Sequence, residues 1–206
     1  MDRRLALGAL LAVPVLYLLC RALSAALGPL AGGGAALMAY WAGLGAALRL
    51  TQDPDHLREL LVAQRPGRLV TVMLALPVLA LGALTLRQMG QVALPPHLVI
   101  AAALGAILHA TLEETFWRGA LLPRLGARPA ALALALYWVF HLGWLGLIGS
   151  PIETSSAVLF FAPLALGGVW TAARLASGTL GASVMGHAGL ALFVFLLLLI
   201  QAQPGA

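Results

Sequence analysis

Glu113 and Glu114 in Leu112-Glu113-Glu114-Thr115-Phe116-Trp117-Arg118-Gly119, His141 in Tyr137-Trp138-Val139-Phe140-His141, and His187 in Met185-Gly186-His187-Ala188-Gly189 are proton-carrying side chains set in apolar surroundings. Ionisable groups within apolar spans are costly and usually face a bundle interior, so chemistry is sought there first. On a helix Glu114 and Arg118 stand four apart and share a face, whereas Glu113 is turned by about 100° from Glu114. Arg118 then neutralises Glu114 and fixes the helix, which leaves Glu113 unpaired in a poorly solvated site. A carboxylate held that way can take a proton from water and later give it to a leaving amine. His109, four residues before Glu113, can reach it along the same helix and is expected to support it.

Helical rise puts these groups at matching depth. At ~1.5 Å per residue, Glu113 lies ~16 Å from Arg124, His141 ~20 Å from Arg128 and His187 ~14 Å from Gly178. Each marker is expected at a cytoplasmic helix end, so three helices of alternating direction bring a carboxylate and two imidazoles to one level. Ala182, Gly186 and Gly189 around His187 are expected to let that helix approach its neighbours around a tight pocket. No serine or cysteine competes as nucleophile, since Cys20 lies outside the cluster and no Ser-His-Asp set is present. Cys20 reads as a packing residue.

The elements that must position these groups are membrane helices. Of 206 residues, 62% are hydrophobic and 9% charged, against roughly 25% charged in a soluble domain. Mean hydropathy is +0.98, which excludes a soluble globule and leaves no room for a separate aqueous domain. The net charge of +5 comes from 12 Arg and no Lys against 7 acids. Those arginines are dispersed, so they read as topology signals and not as a nucleic-acid surface. The expected architecture is an all-α polytopic bundle of about seven spans, near 5–27, 29–48, 69–86, 97–122, 129–149, 155–176 and 178–200. The span at 97–122 either leaves the hydrocarbon in its last turns or breaks near residues 113–118. One membrane-embedded domain, 1–206, is expected, with motif-free spans in 1–95 and the catalytic helices in 96–200. Arginines at 3, 4, 49, 58, 65, 68, 118, 124, 128 and 174 fall at cytoplasmic ends if the N-terminus is inside, while Arg87 lies outside. Leu57, Leu60 and Leu61, with opposite charges between them, predict a short interfacial helix within 54–64.

The run Glu113-Glu114-Thr115-Phe116-Trp117-Arg118 resembles the Glu-Glu-x-x-x-Arg signature of the CPBP family, the CAAX proteases and bacteriocin-processing enzymes also called the Abi family. Its place late in a membrane helix, the following Tyr137-x-x-x-His141 and the intramembrane His187 extend the likeness over roughly residues 97–195. The resemblance implies that Glu113 and His141 activate a water, that Glu114 and Arg118 are structural, and that His187 stabilises an oxyanion. Two departures stand out. The family's third motif is His-x-x-x-Asn, but Ala191 follows His187 and the chain has no asparagine; Tyr137 replaces the usual Phe of the second motif. The missing amide removes a donor of a kind worth ~10²–10³ in rate. Ser183, one turn before His187, is the expected substitute.

The expected activity is therefore glutamic-type intramembrane endopeptidase chemistry without a covalent intermediate. Its substrate would be a protein or peptide at the lipid bilayer, open between a prenylated CAAX protein, a sorting-signal tail and a leader peptide. No cofactor is expected. Zinc held by Glu113, His141 and His187 is the subsidiary possibility, since such ligands plus water make a catalytic zinc site. The expected location is a bacterial inner membrane, multi-pass, with the N-terminus in the cytoplasm. A catalytically silent immunity or scaffold protein and a proton-coupled transporter are the rival classes.

Overall fold

Runs of Leu, Ala and Val punctuated by Gly, Pro and Arg dictate long helices with short joints, because backbone groups in hydrocarbon must be satisfied within their own segment. The computed structural model describes residues 2–147 and 156–203, and among them the chain is helical with no strand. In chain order the helices are α1 (Arg3–Leu27), α2 (Pro29–Thr51), α3 (Pro54–Leu60), α4 (Arg68–Met89), α5 (Pro96–Glu114), α6 (Ala127–His141), α7 (Ser156–Ser177) and α8 (Gly181–Gln201). A π-helical segment, Thr115–Ala120, continues α5, and a 3-10 segment, Leu142–Leu147, continues α6.

Six helices, α1, α2, α4, α8 and the extended α5 and α6, are long and apolar enough to cross a membrane. The 22-residue α7 lies where the sequence predicts the span at 155–176. Residue 155, and residues 148 and 149 of the preceding predicted span, lie outside the described residues. The chain is thus an integral, multi-pass helical bundle.

Backbone bonds identify which helix ends lie together. Asp2 caps α1 by accepting from the N–H groups of Arg4 (2.8 Å) and Leu5 (3.1 Å), and its own N–H donates to Leu121 O at 3.2 Å. Likewise Leu180 N–H donates to Leu60 O at 2.6 Å. The start of α1, the end of α3, the end of the π segment and the start of α8 therefore share one end of the bundle. The short helix α3 is exposed, as an interfacial segment should be, and carries an Arg58–Asp55 pair at 2.7 Å. It ends at Leu60, earlier than the predicted boundary.

Helix α5 turns Ala102, Ala106 and Ala110 inward and exposes Ile100, Leu104, Ile107 and Leu108. That narrow inner face lets α8 pack closely, and Glu113 continues its line one turn on. The glycines of α8 are close-approach positions, as the sequence suggests, and the neighbour they approach is α4. A Cβ at Gly186 would stand 2.8 Å from Leu74 Cδ2, and one at Gly189 would stand 3.0 Å from Val78 Cγ1. These residues seat α8 on α4. The α7–α8 joint turns at Gly178, whose φ of 74° suits glycine, and its carbonyl accepts from Arg174 Nη1.

Candidate active site

Glu113 is fully buried, and the unpaired state expected for it is not what forms. Tyr40 Oη, from the middle of α2, donates to its Oε1 at 2.7 Å, and Tyr137 Oη of α6 donates to its Oε2 at 3.4 Å. Around the same carboxylate stand three imidazoles: His109 Nε2 at 3.9 Å and His141 Nε2 at 3.7 Å from Oε1, and His187 Nε2 at 3.8 Å from Oε2. The depth estimate thus holds in three dimensions, and His109 stands as near the carboxylate as the other two. Trp117 Nε1 donates to Tyr40 Oη at 3.2 Å, so the phenol accepts one hydrogen while giving its own to Glu113.

Glu114 faces elsewhere, as a rotation of about 100° requires. Its Oε1 lies 3.2 Å from Arg118 Nη1 and 2.9 Å from His187 Nδ1. The expected pair with Arg118 forms, although Arg118 sits in the π-helical stretch and not in a regular α-helix. Arg118 also donates from Nη2 to Gly167 O at 3.2 Å and from Nε toward Thr171 Oγ1 at 3.5 Å, which fastens α7 to the motif. Arg174 Nε closes the circuit by donating to Arg118 O at 3.1 Å. His187 is stacked on Trp170, ring centroids 3.8 Å apart and planes at 9°, so its Nε2 is held toward Glu113 from both sides.

Hydrogen-bond partners assign the ring protons. Nδ1 of His141 lies 2.8 Å from Tyr137 O, an acceptor only, so Nδ1 carries the hydrogen and Nε2 offers a lone pair. Trp41 Nε1 donates to His109 Nδ1 at 3.0 Å, so a neutral His109 carries its hydrogen on Nε2. His187 gives Nδ1–H to Glu114. Ligand atoms of His109, Glu113 and His187 lie within 4.8 Å of one another, a spacing that could hold a cation. This set differs from the expected one in holding His109 where the sequence pointed to His141, although the tautomer assigned to a neutral His109 puts a hydrogen on its Nε2.

Ser183 is buried, but its hydroxyl donates to Leu180 O at 2.9 Å in the first turn of α8. That bond commits its hydrogen to the backbone instead of the pocket. The sequence reading missed Tyr40, Trp41, Trp170 and Arg174. A signal existed for the first pair: adjacent polar-tipped aromatics inside the apolar α2 need hydrogen-bond partners when buried. Trp170 and Arg174, one turn apart in α7, carry no spacing that would single them out.

Two apolar cavities reach this cluster. One, of about 470 Å³, runs between α2, α5 and α8 from Pro29 and Leu198 to His109 and His141. The other, of about 400 Å³, lies between α1, α2 and the π segment and ends at Tyr40, Trp117 and Phe140, with Arg4 at its lip. Apolar walls leading to a few convergent polar groups are what a site for a lipid-embedded chain needs.

No curated protein and no solved structure matches the chain. Residues 95–193 match the family described as "Type II CAAX prenyl endopeptidase Rce1-like". The matched stretch contains Glu113, Glu114, Arg118, His141 and His187, whereas Tyr40 and Trp41 come from outside it. With its motif residues gathered about one buried carboxylate in a multi-pass helical bundle, the stretch 95–193 is similar to Rce1-like CAAX endopeptidases, a likeness consistent with the CPBP family.

Proposed function

We propose that the chain hydrolyses a peptide bond of a membrane-associated protein or peptide, lipid-modified or carrying a sorting signal, with a water activated by Glu113 and His141. The observation that carries this reading is the approach of three imidazole Nε2 atoms to one buried carboxylate at 3.7–3.9 Å. That spacing is too long for a direct bond and suits a shared water. As the water oxygen attacks the carbonyl carbon, its proton passes to Glu113, aided by the lone pair on His141 Nε2. With Nδ1–H given to Glu114, His187 stabilises the oxyanion only as an imidazolium that also carries a hydrogen on Nε2, and the proton on Glu113 returns to the leaving nitrogen as the C–N bond breaks. Glu114 and Arg118 hold the frame, and His109 steadies Glu113.

The arginines support an orientation. Arg3, Arg4, Arg124 and Arg128 flank the helix ends joined by the Asp2–Leu121 and Leu60–Leu180 bonds, against Arg21 and Arg87 toward the other end. By the positive-inside rule the former end faces the cytoplasm, here of a bacterial inner membrane, with the N-terminus inside. The reaction needs no resident metal in this reading. A metal-assisted hydrolysis is the second reading, favoured by the free lone pairs of His141 and His187 beside Glu113.

Detergent-purified protein, given a farnesylated CAAX-type peptide, its unprenylated twin and a sorting-tail peptide, tests the proposal. Cleavage by wild type that Glu113→Gln abolishes is the expected result. Folded wild-type protein that cleaves none of them, even when co-expressed with membrane substrates, overturns the reading in favour of a silent immunity or scaffold protein.

A further inference from the structure

We propose that Tyr137 is a catalytic residue, its phenol donating a hydrogen bond to the oxyanion formed when water adds to the scissile carbonyl. This rests on the hydrolytic reading above. The two phenols that touch Glu113 are not equivalent. Tyr40 is committed: it donates to Oε1 at 2.7 Å while accepting from Trp117. Tyr137 Oη reaches Oε2 at 3.4 Å, near the outer limit of a hydrogen bond, so its hydrogen is weakly engaged. On that same oxygen the other neighbour is His187 Nε2 at 3.8 Å, which places a neutral donor and an imidazole side by side.

The ring of Tyr137 is held while its hydroxyl is left free to turn. Arg118 lies over the ring at 4.1 Å from its centroid, Trp117 meets it edge-on at 5.5 Å, and the residue is buried. Gly167 makes this packing possible, since a Cβ there would stand 2.8 Å from Tyr137 Cε1. A fixed ring with a rotatable O–H is a preorganised donor. When Glu113 has accepted the water proton it loses its negative charge, and the phenol hydrogen has a stronger acceptor in the new oxyanion. In that step the water oxygen forms a bond to the carbonyl carbon, the carbonyl π electrons move to oxygen, and Tyr137 keeps its proton throughout. Of the other nearby candidates, Ser183 donates to Leu180 O, Ala191 is apolar, and the Nε2–H of His109 stands beside Oε1 of Glu113 at 3.9 Å, not beside the Oε2 that Tyr137 and His187 share.

Tyr137→Phe keeps the ring and removes the donor. The expected result, with the best substrate found for wild type, is a kcat lower by about 100-fold, with KM and the thermal midpoint unchanged. Adding Ala191→Asn offers an amide on the same face of α8 and is expected to restore turnover in the Tyr137→Phe background. A Tyr137→Phe enzyme within threefold of wild-type kcat overturns the proposal while leaving the hydrolytic reading intact. Should Tyr137→Phe melt early, the double variant decides. Turnover regained without regained stability supports the donor role, and turnover that stays low overturns it. A wild type that cleaves nothing overturns both.

Discussion

Nδ1 of His187 lies 2.9 Å from Oε1 of Glu114, the same oxygen that Arg118 Nη1 approaches at 3.2 Å. The second glutamate thus joins the imidazole of α8 to the arginine of the π segment, and it orients the ring whose Nε2 stands 3.8 Å from Glu113. Its place in the motif is explained by what it holds.

Glu114→Ala should cost both fold and activity. The substitution leaves the buried Arg118 without its carboxylate and His187 without its Nδ1 acceptor. Breaking one side of a buried pair is worth about 3–5 kcal/mol, so the thermal midpoint in detergent should drop sharply along with cleavage. A stable but inactive Glu114→Ala protein would make Glu114 a participant in the chemistry instead.

Glu113→Gln and His141→Ala should behave in the opposite way. A glutamine at 113 can still accept from Tyr40, and His141 is only partly buried, so both variants should fold with near-normal midpoints. Turnover should fall by about 10³-fold or more, because no equivalent base remains. Near-normal cleavage by Glu113→Gln would refute its role as base.

Tyr40→Phe separates the two phenols. It strips Glu113 of its 2.7 Å donor and leaves the Trp117 indole N–H without an acceptor, a loss of about 1–3 kcal/mol for a buried polar group. Stability and kcat should therefore fall together, by contrast with Tyr137→Phe. Differential scanning fluorimetry beside steady-state kinetics makes the comparison.

Metal analysis distinguishes the two forms of hydrolysis. Purified protein is expected to hold less than one equivalent of zinc and to keep its activity through strong chelation, because Glu113 and His141 suffice as bases. One zinc per chain, with activity lost on its removal and regained on its return, would instead establish metal-assisted hydrolysis.

The gathering of Glu113, His141 and His187 was legible in the sequence because such groups are rare there. A carboxylate or imidazole in an apolar helix must face inward, and rise per residue then fixes its depth, which is how Glu113, His141 and His187 were placed together. What could not be read was lateral neighbourhood. Tyr40 belongs to a span without a motif, yet helix packing brings it 2.7 Å from a residue 73 positions away. Ser183 shows the converse: correct face and depth, but a hydroxyl captured by Leu180 O, an outcome of first-turn geometry that spacing does not reveal. The glycines of α8 were recognised as close-approach positions, while the helix they approach, α4, was not evident.

The π segment has a bearing on which changes in chain length the protein tolerates. Leu121 N–H donates to Phe116 O at 2.9 Å, a five-residue step in place of four, so one extra residue is wound into the helix between the glutamates and Leu121. Deleting one residue of 115–117 would remove that extra residue and restore α-winding with what lies beyond kept in phase, whereas inserting one would swing everything beyond by about 100°. An insertion there would turn Leu121 and Leu122, fully buried now, toward a different neighbour. An added or lost residue at 123–126, between this segment and α6, meets no such phase requirement. The last six residues of this helix therefore tolerate a lost residue better than a gained one.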